Sequence, residues 1–250
     1  MTAYHVPARA LALATFACAT PALAGCTSPD AQKSPGAEAN AGPKMNPQNS
    51  GANWSFRQTG EVTRFEVHAG DRWHGDGTQL KERSEAYASG KLSLTQPNDV
   101  RFDMMIEQGP RITAQWLTLV QLQSTFDPGE VGHSPPFAIE LRDEKMRIAS
   151  RFDPRLISRG NDAPYTLHYA DTAPLQRGRW YAMRIAVKFD PAGAGWLKVW
   201  RDGRQIVDYR GPIGFNDVVG PYFKAGIYRA SAREPMAVQF RGVRIGTLPQ

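Results

Sequence analysis

The segment Tyr222-Phe223-Lys224-Ala225-Gly226-Ile227-Tyr228-Arg229 concentrates groups that can move protons and hold anions. Read as a strand, it sends alternate side chains to opposite faces. One face carries Tyr222, Lys224, Gly226 and Tyr228; the other carries Phe223, Ala225 and Ile227 and is core-like. Two phenols and an ammonium then line one surface, with the glycine as a gap through which a bulky ligand can approach the backbone. The same alternation also suits an amphipathic strand whose tyrosines simply face solvent.

Two further segments carry chemistry of the same kind. In Arg83-Ser84-Glu85-Ala86-Tyr87, the residues Arg83, Glu85 and Tyr87 share a face. Such a pair is either a surface ion pair or a guanidinium held by its own carboxylate and ready to read a second one in bidentate fashion. In Trp116 to Gln123, strict alternation puts Leu117, Leu119, Gln121 and Gln123 on one face. Two amides ending an otherwise apolar face are unusual.

The elements that must position these groups are strands. From Trp54 onward, short runs of alternating apolar and polar residues follow one another: Val62 to Val67, Val100 to Ile106, Phe137 to Leu141, Trp180 to Phe189, Trp196 to Trp200 and Val238 to Ile245. Asp202-Gly203 between Val199 and Ile206 is the strongest hairpin signal, because both central residues must accept positive φ. Asp143-Glu144-Lys145 is a weaker one. No helical period exceeds two turns and no segment repeats. Many strands over roughly 200 residues predict an all-β fold, a two-sheet antiparallel sandwich of the concanavalin-like β-jelly-roll type.

Hydrophobic residues make up 41% of the 250-residue chain and the formal charge is +6. That composition supports one sizeable core and excludes a multi-span membrane protein; the scattered basic charge suits a polyanionic partner. Arg9, the apolar run Leu11 to Ala19 and the tetrad Leu23-Ala24-Gly25-Cys26 read as an export signal over residues 1–25. The tetrad resembles the bacterial lipobox, which implies a lipidated Cys26 and membrane association through that anchor alone, on the periplasmic or cell-surface side. Cleavage after Ala24, giving a soluble product, is the alternative. Residues 26–50, rich in Pro, Gly, Ala, Ser and Asn, are expected to be a disordered tether, with the folded domain over 51–250. Cys18 and Cys26 are the only cysteines, so no disulfide is expected in the domain. Export argues against nucleic acid as the partner, and a monomer is expected.

Taken together, Arg83-Ser84-Glu85, Gln121-Leu122-Gln123 and Tyr222 through Tyr228 resemble, in order, the signature strands of the jelly-roll polysaccharide lyases. That group includes alginate lyases and the glucuronan and heparin-lyase-I-like families, and the heparin-lyase-I-like group looks nearest. Gly70-Asp71-Arg72-Trp73, Ser134-Pro135-Pro136 and Gly195 through Gly203 add to the likeness. The resemblance implies β-elimination on an acidic, uronate-containing glycan. Gln121 and Arg83 match the residues that neutralise the uronate carboxylate. Tyr228 matches the tyrosine that serves as acid and sometimes also as base. Lys224 and Tyr222 would contact neighbouring sugars, with Gln123, Glu85, His133 and Arg229 as further substrate contacts.

One departure matters. Where the family has a histidine two residues after the glutamine, this chain has Gln123, which cannot act as a base. Either Tyr228 performs both proton transfers or a histidine from elsewhere enters, with His74 the first candidate and His133 the second. Without that histidine, a non-catalytic carbohydrate-binding jelly-roll module is the rival reading. A retaining glycoside hydrolase is disfavoured, because no strand carries the closely paired carboxylates that it needs. His68 and His168 have no partners at zinc-ligand spacing. No cofactor is required, although Asp71, Asp76, Asp99, Asp127 and Asp217 are loop residues that could offer oxygen to calcium. Trp54, Trp73, Trp196 and Trp200 could stack on sugar rings, with at most one or two of them expected to line a groove.

Overall fold

The structure is a computed structural model that describes residues 42–249. The expected export signal, Cys26 and most of the expected tether lie outside the described residues. Among the described residues, fifteen strands and one short 3-10 turn, His74–Asp76, make up the regular structure. In chain order the strands are β1 (Met45–Asn49), β2 (Phe56–Thr59), β3 (Val62–Val67), β4 (Lys81–Ala88), β5 (Asn98–Ile106), β6 (Leu117–Gln123), β7 (Phe137–Arg142) and β8 (Lys145–Asp153). There follow β9 (Tyr165–Ala170), β10 (Tyr181–Lys188), β11 (Trp196–Arg201), β12 (Arg204–Arg210), β13 (Gly214–Phe215), β14 (Tyr222–Ala230) and β15 (Met236–Thr247).

They form two sheets, as a jelly-roll sandwich requires. One runs β1-β4-β14-β6-β7-β8-β13, with β9 also paired to β8; the other runs β12-β11-β10-β5-β15-β3-β2. Every named pairing is antiparallel except β13 on β8. The core lies between the sheets. Phe102 on one sheet meets Phe223 on the other at a ring separation of 5.7 Å, and Phe240 lies 5.8 Å from Phe102. Each such fully buried side chain stabilises the fold by about 1.5–3 kcal/mol relative to exposure.

The turns obey local backbone chemistry. Asp202 and Gly203 have φ of 52° and 79°, and Asp143 and Glu144 have 52° and 63°, so both sequence-predicted hairpins close with positive φ at the turn. The second turn lacks glycine and is held from outside: Glu144 accepts Nε of Arg177 at 2.9 Å and the backbone N–H of Ile112 at 2.8 Å.

The domain begins earlier than expected. Met45–Asn49, assigned from composition to the tether, pairs with β4 as strand β1. Its sequence, Met-Asn-Pro-Gln-Asn, lacks an apolar alternation because it is an edge strand, and Pro47 is tolerated there since one side of the ladder is vacant.

Candidate active site

The strands β4, β14, β6, β7 and β8 are successive neighbours, and their outer face floors a cleft of about 730 Å³. Residues from all three motif segments line it, including Arg83, Gln121, Gln123, Tyr222, Lys224 and Tyr228. The order of the sheet explains why segments far apart in sequence meet: β14 lies between β4 and β6, so Tyr228 opposes Arg83 on one side and Thr118 on the other.

A buried carboxylate organises the floor. Glu85 is fully buried. It accepts Nη1 of Arg83 at 2.8 Å, Nε2 of Gln121 at 2.6 Å and an ion pair from Nζ of Lys224 at 2.9 Å. Burial works against its charge, but Lys224, Arg83 and Gln121 outweigh burial and hold its carboxyl below the usual range. Burial also dominates at Lys224 and pushes its ammonium down in spite of Glu85. Glu85 is absent from the cleft lining, so the expected substrate contact is instead the anchor beneath three groups that do line it.

Asp76, which the sequence offers only as a loop aspartate, completes this arrangement. Its two oxygens accept Nε and Nη2 of Arg83 at 2.8 and 2.6 Å, a bidentate fork. Burial opposes the charge of Arg83, while Glu85 and Asp76 together raise its guanidinium above its ordinary value. Above Arg83 lies Tyr228, with Cζ 3.8 Å from the ring centroid, and Trp116 closes on the same ring at 4.9 Å. Tyr222 packs edge-on to Tyr87, under Nζ of Lys91 at 4.2 Å.

The phase of β6 departs from strict alternation. Leu119 and Val120 are adjacent and both belong to the core, while Thr118 and Gln121 both line the cleft. The register slips between Thr118 and Val120 against β7, a β-bulge. The two amides therefore share a face with Thr118 rather than with Leu117 and Leu119. Gly226 also has a different role from the one expected. Its φ is +137°, and a Cβ there would meet Ser84 O and, at 2.6 Å, Glu85 Cα. The missing side chain admits the neighbouring strand β4, not a ligand.

Other sequence-predicted residues fall outside the cleft or behind it. His74 is exposed and does not line the cleft, because the 3-10 turn that carries it presents Gly75 and Asp76 there instead. His133 borders the cleft, but its side chain is only 1% exposed. Its ring is sandwiched between Phe126 at 4.7 Å and Phe215 at 4.2 Å. Arg229 is fully buried on the core side of β14, where it pairs with Glu82 at 2.7 Å, so it cannot contact a substrate. Its register partner across the ladder is Glu82, and the alternation that sends Tyr228 outward sends Arg229 inward. Trp73 lines the cleft and so does Trp116, whereas Trp54 stacks on His68, and Trp196 and Trp200 sit on β11 of the opposite sheet.

Asp127 lies near Asp217, but the other three candidate aspartates are apart from them and each is engaged elsewhere, Asp99 on strand β5 rather than in a loop. Asp71 accepts Nε1 of Trp54, Asp76 holds Arg83, and Asp99 holds Arg101 and Arg184. Among the described residues no group of three or more His, Cys, Asp or Glu is placed to hold a metal ion.

A family profile described as "Polysaccharide lyase" matches residues 38–245. This chain belongs to the polysaccharide lyases. The lyase fold is shared with several solved structures. An endo-β-1,4-glucuronan lyase from the fungus Trichoderma reesei superposes with a TM-score of 0.62 at 14% identity, over 82% of this chain and 87% of that one. Alginate lyase AlyC3 gives 0.56 at 14% identity, over 79% and 80%. Alginate lyase PA1167 from Pseudomonas aeruginosa gives 0.51 at 19% identity, over 80% and 88%. No curated protein sequence matches the lyase.

Proposed function

We propose that this polysaccharide lyase cleaves a uronate-containing glycan by β-elimination at the Arg83–Gln121–Tyr228 end of the cleft. The observation that carries the reading is the convergence of Arg83, Lys224 and Gln121 on buried Glu85, with the Tyr228 ring directly beside Arg83.

Elimination removes the proton on carbon 5 of a uronate, which is barely acidic while the adjacent carboxylate is charged. Donors preset where the charge develops lower that barrier. Lys224 has three N–H donors and Gln121 two, and each commits one to Glu85. The remainder are available to the sugar carboxylate, with Arg83 beside them. Tyr228, acting in its phenolate form, takes the carbon-5 proton and becomes the phenol; the electron pair left on carbon 5 forms the carbon 4–carbon 5 double bond as the bond to the glycosidic oxygen breaks. The same phenol then returns a proton to the departing oxygen. Gln123 holds the position of the family's histidine, His133 is shut between two phenylalanines and His74 does not line the cleft, so Tyr228 is assigned both transfers. The solved relatives named for glucuronan and alginate, and the AlyC3 complex with dimannuronate, support an acidic polysaccharide as the substrate.

The test is ultraviolet absorbance of the conjugated uronate formed at each cut, measured on glucuronan, polymannuronate, polyguluronate, heparin, heparan sulfate and hyaluronan. A rise on one of these that disappears in Tyr228→Phe supports the assignment. Binding without any rise would favour a glycan-binding module, the reading that Gln123 keeps open. We also propose export and anchoring through Cys26, on the strength of the Leu-Ala-Gly-Cys tetrad. Labelled palmitate should be incorporated by the wild type and not by Cys26→Ser.

A further inference from the structure

The far side of the cleft carries arginines that the elimination chemistry does not use. Cross-strand register runs from Tyr228 to Thr118, from Thr118 to Glu140 and from Glu140 to Arg147. Three strand spacings of about 4.8 Å put Arg147 roughly 14 Å across the sheet from Tyr228. Arg151 is four residues further along β8 on the same face, and both line the cleft. The floor between the two ends includes Thr118 and Ala138, small enough to leave a continuous trough.

These arginines differ from Arg83 in lacking counter-ions. Among the described residues neither Arg147 nor Arg151 has a carboxylate within salt-bridge distance, whereas Arg83 has two. Arg147 donates Nη2 to the hydroxyl of Tyr165 at 3.1 Å, and its Nε is buried without an acceptor. Arg151 lies with Cζ 4.8 Å from the Tyr165 ring. Tyr165 in turn donates to Glu140 at 3.0 Å, the one carboxylate facing this end from β7. Two guanidiniums against one carboxylate leave a net positive charge, and a buried donor without an acceptor is a cost that an incoming anion would relieve. Burial outweighs Glu140 at Arg151 and lowers its guanidinium, in keeping with a missing partner.

We propose that Arg147 and Arg151 form a second carboxylate-binding subsite, which holds a uronate unit of the glycan away from the one being cleaved. The inference rests on the uronate reading above and extends it: the substrate bears carboxylates on more than the reacting sugar, and a guanidinium pair selects for that charge spacing.

The experiment measures equilibrium binding of a dimer and a hexamer of the preferred polyuronate to the Tyr228→Phe protein, with and without Arg151→Gln or Arg147→Gln. Each arginine change should weaken hexamer binding about tenfold, equivalent to about 1.4 kcal/mol, and leave dimer binding unaltered. In the active enzyme the same changes should raise KM on polymer and spare kcat. A hexamer with its carboxyls reduced, offered to the protein with both arginines intact, separates a charge contact from a loss of folding; it should bind no better than to the arginine variants. Unchanged hexamer affinity and KM in both variants would overturn the subsite while leaving elimination standing. Arginine-dependent binding without turnover of any glycan would overturn elimination and leave the subsite standing.

Discussion

The guanidinium of Arg83 lies over the ring of Tyr228, 3.8 Å from its centroid, and the two residues are direct register partners across β4 and β14. The ring is therefore positioned by its face, independently of its hydroxyl. Tyr228→Phe should keep that contact and leave stability within about 0.5 kcal/mol, while turnover falls about 10²- to 10⁴-fold. Progress curves at saturating glycan and a urea melt on the same preparation separate the two effects.

Glu85→Gln should be far more damaging to the fold. It leaves Lys224 buried without its carboxylate and Arg83 with Asp76 alone. Breaking a buried ion pair on one side typically costs about 3–5 kcal/mol. The pH dependence has a defined sign. The carboxyl is held below its usual range in the folded protein, so its stabilisation is fully present above the unfolded value of about 4.3 and is lost as pH falls through the lower folded value. Denaturant midpoints between neutral and acid pH should fall more steeply in the wild type than in Glu85→Gln.

Neither histidine near the cleft should behave as a base. His74→Ala should leave kcat/KM unchanged, because the side chain is exposed and outside the cleft. His133→Ala should lower stability by about 1–3 kcal/mol through loss of its packing between Phe126 and Phe215, without removing an acid limb from the rate profile. A pH–rate profile that lost an inflection in either variant would contradict the assignment of both proton transfers to Tyr228.

Gly226→Ala should destabilise the domain by at least about 1–3 kcal/mol, since the position has φ of +137° and no room beside Glu85 Cα. The loss should appear in thermal unfolding and be accompanied by loss of the β4–β14 arrangement that brings Arg83 to Tyr228.

Asp217→Asn should do the opposite. Burial, reinforced by Glu130 and Asp127 against the Ser124 hydroxyl, raises the Asp217 carboxyl to about 6. The folded protein therefore binds this proton more tightly than the unfolded chain, and stability declines as pH rises from about 3.9 towards that value. Removing the charge should stabilise the protein by about 1–2 kcal/mol above pH 6, with the gain vanishing near pH 4. Chemical denaturation at the two pH values checks it.

Much of this architecture can be read from the chain because period-two alternation survives wherever one face is buried. Val62 to Val67 coincides with β3, and Tyr222, Lys224 and Tyr228 do share the cleft face. What escapes is whatever depends on partners distant in sequence. Asp76 shows its importance only once the turn before β4 folds back on Arg83. Arg147 and Arg151 lie on a strand whose alternation is masked by the apolar and small residues between them, Ile148, Ala149 and Ser150. Arg229 looks like an extension of the site motif until Glu82, from the neighbouring strand, claims it.

The bulge in β6 has a consequence for how such chains can change. A strand keeps time in steps of two, and the extra residue between Thr118 and Gln121 resets the beat. Deleting Leu119 or Val120 would remove the bulge and restore strict alternation, with Thr118, Gln121 and Gln123 still on the cleft face and Leu122 still in the core. The bulge is therefore a place where the chain can gain or lose one residue without exchanging its faces, so neighbouring chains on this scaffold are expected to differ in length by one between Thr118 and Gln121 while keeping both amides in the cleft.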